Sequence, residues 1–175
     1  MKVYTKTGDN KQTSVIGQRI DKDSLRINCY GTTDEALSYI GLIASNNEDE
    51  LVAKQLDYVI KLFFNIGQDL ATIDSTKQVI RENDVQIIEN YIDELSSNLE
   101  PLTNFIGPQG HDLACYANIV RTIIRRSERL IIALSKEEVI NNILLPLINR
   151  LSDYFFTLFR YYNKSYQYQE QVIIF

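Results

Sequence analysis

The segment ANIVRTIIRRSERLIIAL, residues 117–134, sets the terms for any fold this chain adopts. Its apolar residues recur three and four apart, the period of a helix with one face against a core. Ile119, Val120, Ile123, Ile124, Leu130 and Ile131 are expected on that face. At about 100° per residue, Arg121, Arg125 and Arg129 form one stripe on the other side, with Asn118 and Thr122 beside them and Arg126 adjacent. Four arginines in nine residues, in a chain of net charge -5, call for an anion. The planar guanidinium fork suits carboxylates and phosphates. Two readings follow from the pattern: a salt-bridged surface helix, or an anion-binding face.

The chain's 175 residues suit one domain over 1–175 with a substantial core. No run of eighteen apolar residues is present, so no membrane span is expected. MKVYTKTGDN lacks the apolar stretch of a secretory signal. Cys29 and Cys115 stand far apart in no CxxC arrangement, which argues against a disulfide scaffold or zinc site and for the reducing cytoplasm. The acidic balance disfavours broad binding to nucleic acid.

Few Gly and Pro and long helical periods predict an all-α fold, a bundle of five helices preceded by an ordered loop or short extended arm over residues 1–30. A first helix is expected from Thr32, where Thr32 and Glu35 fit a capping box. A second is expected over 51–72, and a third from Asn83 or Asp84 to Ser96. NFIGPQG (104–110) reads as a loop. The arginine helix should run over 112–134 and a last helix over 137–163, with Pro146 as a kink. The terminal VIIF is too short to assign.

The last helix has its own polar stripe of Asn149, Asp153 and Arg160 beside Phe156, and Asn149 and Asp153 are placed to face the arginines across a polar cleft. TKTGDNKQTS (5–14) concentrates the residue types of an anion cradle: glycine for close approach, hydroxyls as donors and lysine for charge. It is not GxxxxGK[ST], and a plain polar turn is the competing reading. The single histidine, His111, sits at a loop–helix junction and reads as a helix-start or surface residue. It supports neither a paired-histidine di-iron site nor a Ser-His-Asp hydrolase. The eleven tyrosines read as core and interface fill.

Taken together, VYTKTGDNKQTSVIGQRIDKD (3–23) running into YGTTDEALSYIGL (30–42), FIGPQG (105–110) with NIVRTIIRRSER (118–129), and LINRLSDYFF (147–156) resemble the PduO-type ATP:cob(I)alamin adenosyltransferases. LFFNIGQDLAT (62–72) joins these blocks, so the resemblance covers most of the chain in order and spacing. It implies a homotrimer of five-helix bundles with ATP between neighbouring subunits, and Mg²⁺ with the triphosphate. The N-terminal loop would then place Thr5, Thr7, Gly8, Thr13, Ser14, Arg19 and Lys22 near phosphate. Arg125 matches a phosphate-contacting arginine, Arg121 the partner of Asp34, Asn149 a nucleotide contact, and Phe105 the corrinoid face.

The implied reaction transfers the 5′-deoxyadenosyl group of ATP to the cobalt of cob(I)alamin. An electron-donating reductase is the implied partner, and a bulky Phe105 would help by excluding the lower axial ligand. The chain departs from the family at Lys11, where glycine is expected, at Leu37 for Asn, at Asn118 for His, and with GPQG for an LPGG-like turn. If position 11 needs a positive φ, lysine there costs roughly 1–2 kcal/mol. A non-catalytic ATP- or corrinoid-binding sensor of the same fold is the alternative these departures raise.

Overall fold

The computed structural model describes residues 2, 4, 6–73 and 77–174. Five helices dominate it: α1 (Leu25–Asn46), α2 (Glu50–Ala71), α3 (Glu82–Ser96), α4 (Asp112–Glu137) and α5 (Leu144–Ser165). Two small antiparallel pairs complete it. β1 (Gln12–Val15) pairs with β2 (Gln18–Asp21), and β3 (Phe105–Ile106) pairs with β4 (Val172–Ile173). The all-helical expectation therefore holds, and the extended N-terminal arm contains a hairpin.

α4 is the hub, packing against α5 on one side and α1 on the other, while α2 covers α1 and α3 covers α5. Val120, Ile123, Ile124 and Ile131 point into the shared core with Ile40, Ile66, Leu151 and Phe155, all buried. Ile119 does not: it is 38% exposed on the rim of the helix. Removing some 25 cal/mol per Å² of apolar surface from water is what holds such a bundle together.

The helix boundaries follow their caps. α1 starts seven residues earlier than its expected Thr32 start, because Ser24 accepts a hydrogen bond from the Ile27 amide and supplies the cap. Thr32 lies inside the helix and donates to the Asn28 carbonyl at 2.7 Å. The period over 25–31 was masked by a buried arginine, Arg26, standing where an apolar residue is expected. Asp49 caps α2 through the Leu51 and Val52 amides. The Asp84 carboxylate closes the start of α3 by accepting from the Arg81 amide at 2.7 Å. His111 caps α4, its Nδ1 accepting from the Leu113 amide at 3.2 Å while its ring stacks on Tyr166.

α4 continues to Glu137, and α5 starts only at Leu144 rather than near 137. Pro146 therefore falls in the first turn, where a missing N–H costs nothing, and it starts the helix instead of kinking it. VIIF contributes a strand, Val172 and Ile173 lying opposite Ile106 and Phe105. Among the described residues no helix is long and apolar enough to cross a membrane.

Candidate functional site

Arg121 and Arg125 lie one turn apart on α4 and open onto a cavity of about 890 Å³. Its other walls include Phe105 and Ile106 from β3, Asp153 and Phe156 from α5, and Ile173 and Ile174 from the chain's end. Arg121 is half-buried, its Nε donating to Asn118 Oδ1 at 2.8 Å and its guanidinium lying 5.7 Å from the Phe156 ring centre. Burial, and then the neighbouring Arg125 charge, lowers its pKa below the usual arginine value. Neither Arg121 nor Arg125 has an ion-pair partner among the described residues. The one acid in the cavity wall, Asp153, is paired with Arg150 at 3.1 Å. Two guanidinia held side by side with no ion-pair partner among the described residues form a site of unmet positive charge. An anion there would gain two forked donors in a half-desolvated setting.

The neighbouring residues are braced. Asn149 donates to Glu128 Oε1 at 3.1 Å, linking α5 to α4, and accepts from Arg150 at 2.9 Å. Arg126 pairs with Glu35 of α1, and Arg129 is exposed on the stripe. The four arginines therefore have different roles, which helical spacing alone could not separate. Phe105 is 74% exposed at the cavity mouth, carried on the strand that the C-terminal β4 holds in place. Ile173 and Ile174 were not foreseen as walls, because a four-residue apolar run has no period until its pairing partner is known.

The hairpin β1–β2 presents a second site. Thr13, Ser14 and Lys22 line a cavity of about 770 Å³ with Val15, Ile16 and Tyr30. A Cβ on Gly8 would meet Lys22 Nζ at 3.1 Å, so glycine at this position lets the ammonium fold over the loop. Arg19 donates to the Thr7 carbonyl at 2.6 Å and the Gln12 carbonyl at 3.3 Å, closing the loop onto the hairpin. Thr5 lies outside the described residues.

Lys11 has φ of 63°, in the left-handed region that disfavours side chains with a Cβ. The positive φ that was conditional in the sequence is therefore present. Lys11→Gly is expected to raise stability by about 1 kcal/mol in chemical denaturation, by removing that strain. An unchanged or lower midpoint would contradict this.

Asp34 lies on α1 and lines a third cavity, about 310 Å³, with Tyr30, Phe63, Phe64 and Gln68. It forms no ion pair among the described residues, and Arg121 lines a different cavity. The Asp34–Arg121 brace is thus not made within one chain. The arginine cavity and the hairpin cavity share no lining residue.

A protein-family model described as cobalamin adenosyltransferase matches residues 3–162. The chain is 40% identical over 186 residues to a corrinoid adenosyltransferase of Bacillus subtilis (strain 168), covering 100% of this chain and 96% of that protein. Against a corrinoid adenosyltransferase of Citrobacter freundii the identity is 34% over 164 residues, covering 91% and 93%. A variant PduO-type ATP:corrinoid adenosyltransferase from Lactobacillus reuteri, solved in complex with cobalamin and ATP, superposes with a TM-score of 0.93. That comparison has 36% identity and covers 98% of this chain and 96% of that one. Agreement of sequence and fold over nearly the whole length means that this chain belongs to the cobalamin adenosyltransferase family.

Proposed function

We propose that the arginine cavity of one subunit and the hairpin of its neighbour close around ATP in a homotrimer, with Mg²⁺ carried on the triphosphate. The chain is a corrinoid adenosyltransferase, moving the 5′-deoxyadenosyl group of ATP onto the cobalt of a reduced corrinoid. The observation that carries the assignment of residues is the unpaired Arg121–Arg125 couple at an open cavity.

The chemistry needs what this couple offers. The Co(I) electron pair forms the Co–C bond at C5′ while the C5′–O bond breaks, its electrons leaving on triphosphate. Negative charge grows on the leaving group, so fixed cations aimed at it lower the barrier. Arg125 supplies the exposed fork and Arg121 the half-buried one. Thr7, Thr13, Ser14 and Lys22 cradle the phosphates, with Gly8 leaving room for Lys22 and Arg19 holding the loop closed. No base is required, which suits a chain whose only histidine spends its Nδ1 on a helix cap. Mg²⁺ commonly binds through substrate phosphates with few protein carboxylates. The described residues contain no cluster of three potential metal ligands, so they fit an ion delivered with ATP.

The trimer is supported by incompleteness of the single chain. Hairpin and arginine cavities are separate, and among the described residues neither Asp34 nor Arg121 has an ionic partner in its own chain. Phe64 is 66% exposed on α2 and Ile119 38% on α4, apolar surface that a neighbour would cover. Phe105 would face the corrinoid. A reductase delivers the electron that makes Co(I), and two free cysteines suit the reducing cytoplasm.

The test is anaerobic incubation with ATP, Mg²⁺ and chemically reduced cobalamin. Adenosylcobalamin and free triphosphate are expected in equal amounts, from a protein that sediments as three chains. Tight ATP binding without product would leave only the sensor reading, and a monomer with full activity would remove the shared site.

A further inference from the structure

The hairpin is fastened to the end of α2 at its turn, and Arg26 at the start of α1, five residues beyond the hairpin, is fastened to the same end. The Ile16 amide, at its turn, donates to the Ala71 carbonyl at 2.9 Å, in a parallel bridge of Ile16 to Thr72. Just past its other end, Arg26 donates from Nη1 to the Leu70 carbonyl at 2.7 Å and the Thr72 carbonyl at 3.5 Å. Three consecutive carbonyls at the end of α2 are therefore taken by donors from the hairpin and the segment that follows it. These are groups that a helix C-terminus leaves unsatisfied, at its negative end, and α2 has no basic residue in its own last turn.

Arg26 is itself held. It is 3% exposed, and its Nε and Nη2 donate to Glu138 Oε2 at 2.9 and 2.6 Å, at the end of α4. Three residues on, Asn141 donates to Asp69 Oδ2 at 2.7 Å and to the Ile80 carbonyl at 3.0 Å. Asp69, back on α2, also accepts from the Val79 and Ile80 amides. Two sets of polar contacts, Arg26 with Glu138 and Asn141 with Asp69, thus tie the segment after α4 to the start of α1 and to the end of α2. A buried charge is costly unless fully partnered, and Arg26 is partnered by the Glu138 carboxylate and main-chain carbonyls.

We propose that Arg26 is a positioning residue for adenosyl transfer: through the end of α2 it sets where the hairpin presents Thr13, Ser14 and Lys22. Arg26 touches no substrate. Its loss lets the hairpin drift from the phosphates while the arginine cavity and the corrinoid face stay intact. The inference rests on the reading that the hairpin holds triphosphate.

The experiment compares Arg26→Met, Arg26→Lys and Glu138→Gln with the parent and with Lys22→Ala, in steady-state assays with ATP and cob(I)alamin varied separately. Arg26→Met keeps the stem and removes the fork, so KM for ATP should rise roughly tenfold, with kcat and the corrinoid KM within about twofold. Arg26→Lys should recover part of the loss and Glu138→Gln should show an intermediate rise. Amide exchange over residues 12–21 should speed up in the same order. Should Arg26→Met fail to fold, the half-exposed Glu138 decides, since Glu138→Gln leaves the buried fork in place. A folded Arg26→Met or Glu138→Gln protein with unchanged KM for ATP and unchanged exchange over 12–21 would overturn the inference. Unchanged ATP binding in Lys22→Ala would instead remove the hairpin reading beneath it.

Discussion

Arg125→Ala is expected to lower kcat/KM by roughly two to three orders of magnitude, with the fold and the assembly intact. Arg125 is exposed and makes no ion pair among the described residues, so its removal orphans no buried group. Folding stability should therefore stay within about 0.5 kcal/mol of the parent, as for surface substitutions generally. Removing Arg125 also relieves like-charge repulsion on Arg121, one cause of that residue's lowered pKa. The catalytic loss and the stability change are thus expected to point in opposite directions. Arg125→Lys should sit between, because a point charge replaces a fork. Turnover of Arg125→Ala at the parent rate would exclude the residue from the site. A large drop in thermal midpoint would show a structural role instead.

The second large effect lies far from the arginines. Asp69→Ala is expected to cost about 3 kcal/mol of folding stability. Asp69 is 4% exposed, and its carboxylate accepts from the Val79 amide, the Ile80 amide and Asn141 Nδ2. Truncation leaves these donors without an acceptor in a place water reaches poorly, and that desolvation is the main penalty. In a chain of this size the thermal midpoint should fall by roughly 10 °C. Asp69→Asn keeps one acceptor oxygen and should lose about half as much. Differential scanning calorimetry on both variants is the measurement. A shift below about 2 °C for Asp69→Ala would mean that the loop over 77–80 finds other acceptors.

How much of this was legible beforehand depended on whether a signal was local. The second, third and fourth helices were readable because their apolar residues repeat every three to four positions, although α3 starts at Glu82 with Arg81 at the cap, which puts Asp84 inside the first turn and not at the cap expected of Asn83 or Asp84. α1 was misplaced because Arg26, at a core position, breaks the apolar period that a reader follows. Its burial is tolerable only because Glu138, 112 residues away, meets it. The strand at Val172 was unreadable for the same reason: a two-residue pairing with Ile106 carries no period of its own.

The arginine stripe itself was written in the sequence, since helical spacing alone puts Arg121, Arg125 and Arg129 on one side. Residue types alone marked the N-terminal loop as suited to an anion, whereas the approach of Lys22 to Gly8 appears only in the folded chain. Spacing could not separate the arginines; the family resemblance divided Arg125 from Arg121, and the tertiary structure shows which of the four are ion-paired. Arg126 is neutralised by Glu35 and Asp153 is held by Arg150, while Arg121 and Arg125 keep their charge at an open cavity. Charge availability depends on which side chains from other helices arrive within hydrogen-bonding distance, and a one-dimensional pattern contains no such distances. The same limit hid the Arg26–Glu138 and Asp69–Asn141 pairs, whose partners are 112 and 72 residues apart and meet only in the folded chain.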